Sequence, residues 1–167
     1  MVTTELISHE YFMAQAIEEA LKADALNEVP VGAVVVLNGE IIGRGFNQPI
    51  SSNDPTAHAE VMALRDAGSR LSNYRIVDAD LYVSIEPCTM CAGAIVHSRV
   101  KRVIFGALEP KAGVVVSQQA IFQQPYLNHE IEVVSGVLEE QCTAVMQAFF
   151  KRRRAEKKAE KKEGKNA

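Results

Sequence analysis

The chain has 167 residues, the length of one ordinary domain, and its apolar fraction of 47% is enough for a full core. No apolar run nears the roughly 20 residues that cross a bilayer, and the start, MVTTELISHE, has no basic residue and no apolar h-region, so neither a span nor a secretory signal is expected and the cytoplasm is the expected compartment. The net charge of −3 hides an asymmetry: residues 151–167 hold nine Lys/Arg against three Glu, a balance of +6, while residues 1–150 stand at −9.

In chain order, Ser8 is placed to cap a first helix running to about Leu26. Met13, Ile17 and Leu21 recur every four residues, flanked by Phe12, Ala16 and Ala20, and predict one apolar stripe. Two β-rich runs then meet at Asn38-Gly39, a strong type I′ hairpin signal. A polar loop, QPISSNDP, leads into a helix over PTAHAEVMALR. DLYVSI reads as a strand, EPCTMCAGAIVHSR as a helix and RVIFGA as another strand. Leu108 to Asn128 is looser, with Pro110, Gly113 and Pro125. EIEVVSGV predicts a short fifth strand, and a last helix starts near Leu138 and runs through AVMQAFFKRRR. This order implies one mixed sheet with helices on its faces. Residues 1–154 read as one domain. Residues 155–167, low in complexity and without an apolar face, read as a basic, flexible tail.

Three cysteines in a chain without a secretion signal argue against a disulfide framework. Cys88 and Cys91 in PCTMC are three apart, so a helix presents both on one face, near the positive end of its dipole, where thiolates are favoured. Pro87 suits such a helix start. A lone CxxC is ambiguous between a redox pair, half a structural zinc site and coincidence. His58, at the start of another helix, adds a nitrogen ligand if neighbouring strands bring the two helix starts together. A fourth protein ligand is hard to place. His97 points away from Cys88 around the helix, and Cys142 sits among apolar residues; His129 and His9 have no supporting partner in sequence. Three protein ligands leave one position open, as in catalytic zinc sites. Residues two apart face opposite ways along a helix, so Glu60 shares a site with His58 only in the first turn, with the metal beyond the helix end. There a carboxylate can move protons to and from a water. The bland reading of Glu60 is a carboxylate favoured by the helix dipole.

H-A-E followed by P-C-x-x-C resembles the zinc-dependent cytidine deaminase superfamily. The segments EVPVGAVVV, GRGFNQPI, DPTAHAEVMALR, NYRIVDADLYVSIEPCTMCAGAIVHSRVKRVIFGA and NHEIEVVSGVLEEQC resemble the bacterial tRNA-specific adenosine deaminases, from about Ser8 to Arg154. The resemblance implies a three-layer α/β/α fold around a mixed five-stranded sheet, a homodimer and one zinc ion per subunit. It implies hydrolytic deamination of adenosine to inosine at the wobble position of a tRNA anticodon, with tRNA-Arg as the substrate. It makes His58, Cys88 and Cys91 the zinc ligands and Glu60 the proton shuttle. Asn47 is expected to hydrogen-bond the purine and the Ala59 N–H to face the substrate. Family members commonly carry Asp where Glu109 stands in GALEPKAG, so a contact of this loop to the nucleotide is expected to differ.

In FFKRRR, Phe149 and Phe150 offer rings to bases, while Arg152, Arg153 and their neighbours offer cations to phosphates. The plainer reading has the rings finishing a core face; both hold if at least one ring packs inward. A deaminase of free bases or nucleosides, of guanine or cytosine type, is the competing enzyme and has no need of a basic aromatic end. A non-catalytic RNA-binding protein with structural zinc would need a fourth ligand.

Overall fold

A computed structural model describes residues 4–166. The elements run α1 (Thr4–Ala25), β1 (Gly32–Leu37), β2 (Glu40–Phe46), α2 (Ala59–Leu71), β3 (Asp80–Ile85), α3 (Thr89–Ser98), β4 (Arg102–Ala107), a 3-10 turn (Ile121–Gln123), β5 (Glu132–Val134) and α4 (Glu139–Asn166). They form one five-stranded sheet in the order β2-β1-β3-β4-β5. β1 is antiparallel to both β2 and β3, and β4 is parallel to β3 and β5, so the sheet is mixed as expected. The β1–β2 hairpin turns at Asn38 and Gly39, whose φ angles of 51° and 77° are those a type I′ turn demands.

Alternation along the strands builds two cores. Ala33, Val35, Leu81, Val83, Val103 and Phe105 meet α2 and α3 on one face. Val34, Val36, Tyr82 and Ile104 meet Phe12, Met13 and Ala16 of α1 and Cys142 of α4 on the other. The result is the expected three-layer α/β/α arrangement. Gly43 and Gly45 let α2 lie directly on the β2 backbone: a Cβ on Gly45 would collide with the Ala63 N and the Ala59 carbonyl. That close approach fixes the start of α2.

Two expectations are corrected. α1 begins at Thr4, so Ser8 lies inside the helix and is not its cap. Leu21 is 51% exposed. Each step of four residues overshoots a full helical turn by about 40°, so two steps from Met13 rotate Leu21 off the stripe, which continues through Ala20 and Ala23. Its neighbour Glu19 is buried instead, paired with Lys22 at 2.7 Å and Arg44 at 3.4 Å. The basic tail continues α4 as helix to Asn166. Its Ala, Glu, Lys and Arg are strong helix formers, and pairs such as Arg153–Glu156, 2.6 Å, support the turns.

Candidate metal centre and active site

β3 runs straight through Glu86 and Pro87 into α3, and the 47–58 loop delivers α2 beside it. Both helices begin at the same end of the sheet, where ligand sites form in open α/β sheets. His58 occupies the N-cap of α2 with φ −76° and ψ 155°. Cys88 occupies the N-cap of α3 with φ −83° and ψ 177°. Neither side chain makes the usual capping hydrogen bond, which leaves both free to meet each other. His58 Nδ1 lies 3.6 Å from Cys88 Sγ and 3.5 Å from Cys91 Sγ. All three ligand atoms lie within 4.8 Å of one another. A tetrahedral zinc ion, with Zn–N of about 2.0–2.1 Å and Zn–S of about 2.3 Å, separates N from S by about 3.6 Å. The donor set and its spacing therefore fit zinc.

Without a metal, the cluster shares its protons so that one sulfur is favoured as thiolate. The Cys91 thiol donates to Cys88 and His58 adds its own bond, which together outweigh burial and hold the Cys88 thiol down to about 3. The Cys91 thiol is pushed up, first by that bond to Cys88 and then by burial and the Glu60 charge. The bond to Cys88 raises His58 against the opposing effect of burial. Cys88 is thus a preformed anionic ligand.

Glu60, the second residue of α2, is 3% exposed and stands beside the Cys91 thiol. Burial is the largest influence and raises its carboxyl above the ordinary range. A carboxyl raised in this way gives up its proton less readily than an exposed one and can take one back. Ala59, the first residue of α2, is fully buried; an N–H at that helix position has no intrahelical acceptor. Asn47 is held by its Nδ2 donating to the Val29 carbonyl at 3.1 Å.

Two buried carboxylates that the sequence reading left without a role brace the loops around this point. Glu28 receives the N–H of Ile50 at 3.3 Å and the N–H and hydroxyl of Ser51, both at 2.7 Å, which fixes the loop leading to His58. Glu86 receives the N–H groups of Glu109, Val115, Val116 and Ser117 at 2.8 to 3.1 Å, and the Ser117 hydroxyl at 2.5 Å. Burial pushes the Glu86 carboxyl up, but Ser117 and the loop N–H groups outweigh it and hold it below its usual value. Gly113 is required here, since a Cβ would strike the Glu86 carboxyl. The only sequence signal for either residue is a single Glu set in an apolar context, in NEVPVGAVVV and VSIEPC.

The remaining histidines and Cys142 lie elsewhere. His9 Nδ1 is 2.7 Å from the Tyr82 hydroxyl, and His129 Nε2 is 2.8 Å from the Val100 carbonyl. His97 lines a groove between α2 and α3, and Cys142 is buried in the α1/α4 core. The Glu109 carboxylate turns back on its own loop and accepts the Lys111 N–H at 3.0 Å. Its residue also lines a cavity of about 280 Å³ with Ile85, Thr143, Met146, Phe150 and Arg154.

Of the two rings offered to bases, Phe149 is 4% and Phe150 41% exposed, so one packs inward and the other reaches the surface. Arg152 sits over the Phe149 ring at 5.2 Å and pairs with Asp24 at 2.5 Å and Asn27 at 3.3 Å. Arg153 pairs with Glu156. These arginines are engaged within the chain.

Residues 6–107 match the model of the cytidine and deoxycytidylate deaminase zinc-binding region. The chain is similar to a tRNA-specific adenosine deaminase of Haemophilus influenzae, 52% identical over 153 residues, 91% of this chain and 88% of the relative. It is similar to another of Bacillus subtilis, 48% identical over 92% of this chain and 95% of the relative. A solved structure from a study of A-to-I editing by tRNA:A34 deaminases superposes with a TM-score of 0.79 at 44% identity, covering 81% of this chain and 98% of that one.

Proposed function

The chain belongs to the cytidine and deoxycytidylate deaminase family, and on that premise we propose that it is a tRNA-specific adenosine deaminase, converting adenosine to inosine at the wobble position of an anticodon. The observation that carries the chemistry is the buried Glu60 beside the His58–Cys88–Cys91 cluster, three donors and so one short of a tetrahedral set. The substrate rests on relatives bearing that activity at 44–52% identity.

His58, Cys88 and Cys91 hold zinc, one ion per subunit. Zinc supplies Lewis-acid chemistry, bringing the ionisation of water toward neutral pH. Glu60 takes the proton of the attacking water, delivers it to the purine ring and then assists the departing amino group. The C6–O bond forms as the ring nitrogen is protonated; Glu60 then carries the remaining hydroxyl proton to the amino group, and the C6–N bond breaks as C6=O is completed, releasing ammonia. Asn47 and the Ala59 N–H orient the purine. An anticodon loop presents its bases unpaired, so extruding one is inexpensive. Phe150 is the exposed ring for a neighbouring base. The zinc domain is taken as residues 1–154, with 155–167 as an appended basic segment; residues 1–3 and 167 lie outside the described ones.

The homodimer expected from the resemblance belongs to the same proposal, and tRNA-Arg to its substrate range. An exposed groove of about 710 Å³ between α2 and α3, lined by Val61, Leu64, Tyr74 and Ala94, supports a second subunit on that flank. No described helix is long and apolar enough to cross a membrane, and the cytoplasm is the compartment proposed.

The deciding experiment incubates the zinc-loaded protein with tRNA bearing A at the wobble position and measures inosine, with cytidine, adenosine and guanine alongside. Inosine in the tRNA alone supports the proposal. Turnover of a free base or nucleoside with none in tRNA replaces it with the small-molecule reading.

A further inference from the structure

α4 is charged differently on its two sides. Advancing about 100° per residue, Lys151, Arg154, Lys158, Lys161, Lys162 and Lys165 fall within an arc of about 100°. Glu156, Glu160 and Glu163 fall on the opposite side, within about 60°. The acidic side engages the arginines nearest to it: Glu156 pairs with Arg152 at 3.4 Å and Arg153 at 2.6 Å. Arg152 also docks α4 against the end of α1 through Asp24 and Asn27.

The basic stripe has no carboxylate within it and runs about 21 Å at 1.5 Å per residue. Toward the body it is continuous with Thr143, Gln147, Phe150 and Arg154, which line the cavity beside Ile85 and Glu109. Ile85 ends β3, three residues before Cys88. The stripe therefore starts at the end of the sheet that carries Glu60 and leads away from it.

We infer that this stripe is a second RNA-binding surface that tracks the phosphates of the anticodon stem, while Arg152 and Arg153 dock and brace the helix and do not read RNA. The inference rests on the deaminase reading, because it is the site's RNA loop that makes the polyanion a stem. Cationic groups recurring every three to four residues suit a phosphate backbone. A membrane helix would need an apolar face, and this arc has none.

The test keeps net charge and helix formers constant. In the full-length zinc-loaded chain, Glu160→Lys, Lys161→Glu, Lys162→Glu and Glu163→Lys interrupt the stripe without changing the total. Binding of tRNA is measured between 50 and 200 mM salt, and circular dichroism checks the helix. The expected result is roughly tenfold weaker binding near 0.1 M salt and a salt slope smaller by about two, with inosine formation at saturating tRNA unchanged. Equal affinity and slope in parent and variant overturn the inference. So does loss of binding to phosphatidylserine vesicles in the variant with tRNA binding unaltered, which assigns the stripe to a membrane surface. Absence of inosine from the parent refutes the deaminase reading separately, since the binding comparison does not depend on turnover.

Discussion

Glu86 and Val116, thirty residues apart in sequence, meet through a backbone N–H donated to a carboxylate at 2.8 Å. Glu86 lies two residues before Cys88, so one side chain joins the 109–117 loop to the start of the metal-bearing helix. Replacing Glu86 by Ala strands four loop N–H groups, that of Val115 buried and the others partly so. A destabilisation of about 2–4 kcal/mol is expected by urea unfolding, together with a raised KM for tRNA. Glu109→Ala, which removes one exposed loop contact, should cost less than about 1 kcal/mol. Equal costs for the two would show that Glu86 does not organise the loop.

Glu60→Ala should lower inosine formation by at least about a hundredfold while zinc content, measured by elemental analysis, stays at the parent level. That pair of outcomes is the signature of a carboxylate that moves protons without binding the metal. Full activity in this variant would remove the mechanism. Loss of zinc would recast Glu60 as part of the metal shell.

Removing residues 151–167 should weaken tRNA binding and flatten its dependence on salt, because the segment carries half of the chain's Lys and Arg. Stability should change by no more than about 1 kcal/mol, since among the described residues the ion pair lost to the body is Arg152–Asp24, which is partly open to solvent. An unchanged salt slope would make the segment a bystander.

Burial pushes the Cys142 thiol up to about 12 from an ordinary value near 9. The native state thus favours the thiol, and the unfolded chain ionises first as pH rises. The associated stability is intact below pH 9 and is lost through the window from about 9 to 12, at up to about 1.4 kcal/mol per pH unit. Between pH 8 and 10.5 the urea midpoint of the parent should therefore fall further than that of Cys142→Ala. Parallel declines would show that the thiol ionises as readily in the folded protein.

The metal centre was legible because chemistry and spacing coincide in it. Cys88 and Cys91 share a helix face by count alone, and Pro55 entering before His58 marks a helix start, the one place where a two-residue gap to Glu60 works. The hairpin was legible because Asn38-Gly39 tolerates positive φ. Leu21 misled because a four-residue repeat matches the stripe only over a short stretch. Glu28 and Glu86 were invisible because their partners are mostly backbone groups 22 to 31 residues distant, and no side-chain pattern records a loop's N–H groups. The tail's composition argued for disorder, whereas its order of residues, with cations and carboxylates three and four apart, favours helix.

The N-cap positions of α2 and α3 are held by His58 and Cys88 in place of the hydroxyl and carboxamide side chains that usually serve there. Loading zinc is consequently also a way of fastening two helix ends to each other. By mass action, a free ion at a hundred times its dissociation constant deepens the folded well by about 2.7 kcal/mol. An ion bound there would therefore stabilise the fold as well as supply chemistry, and its removal would be felt in both.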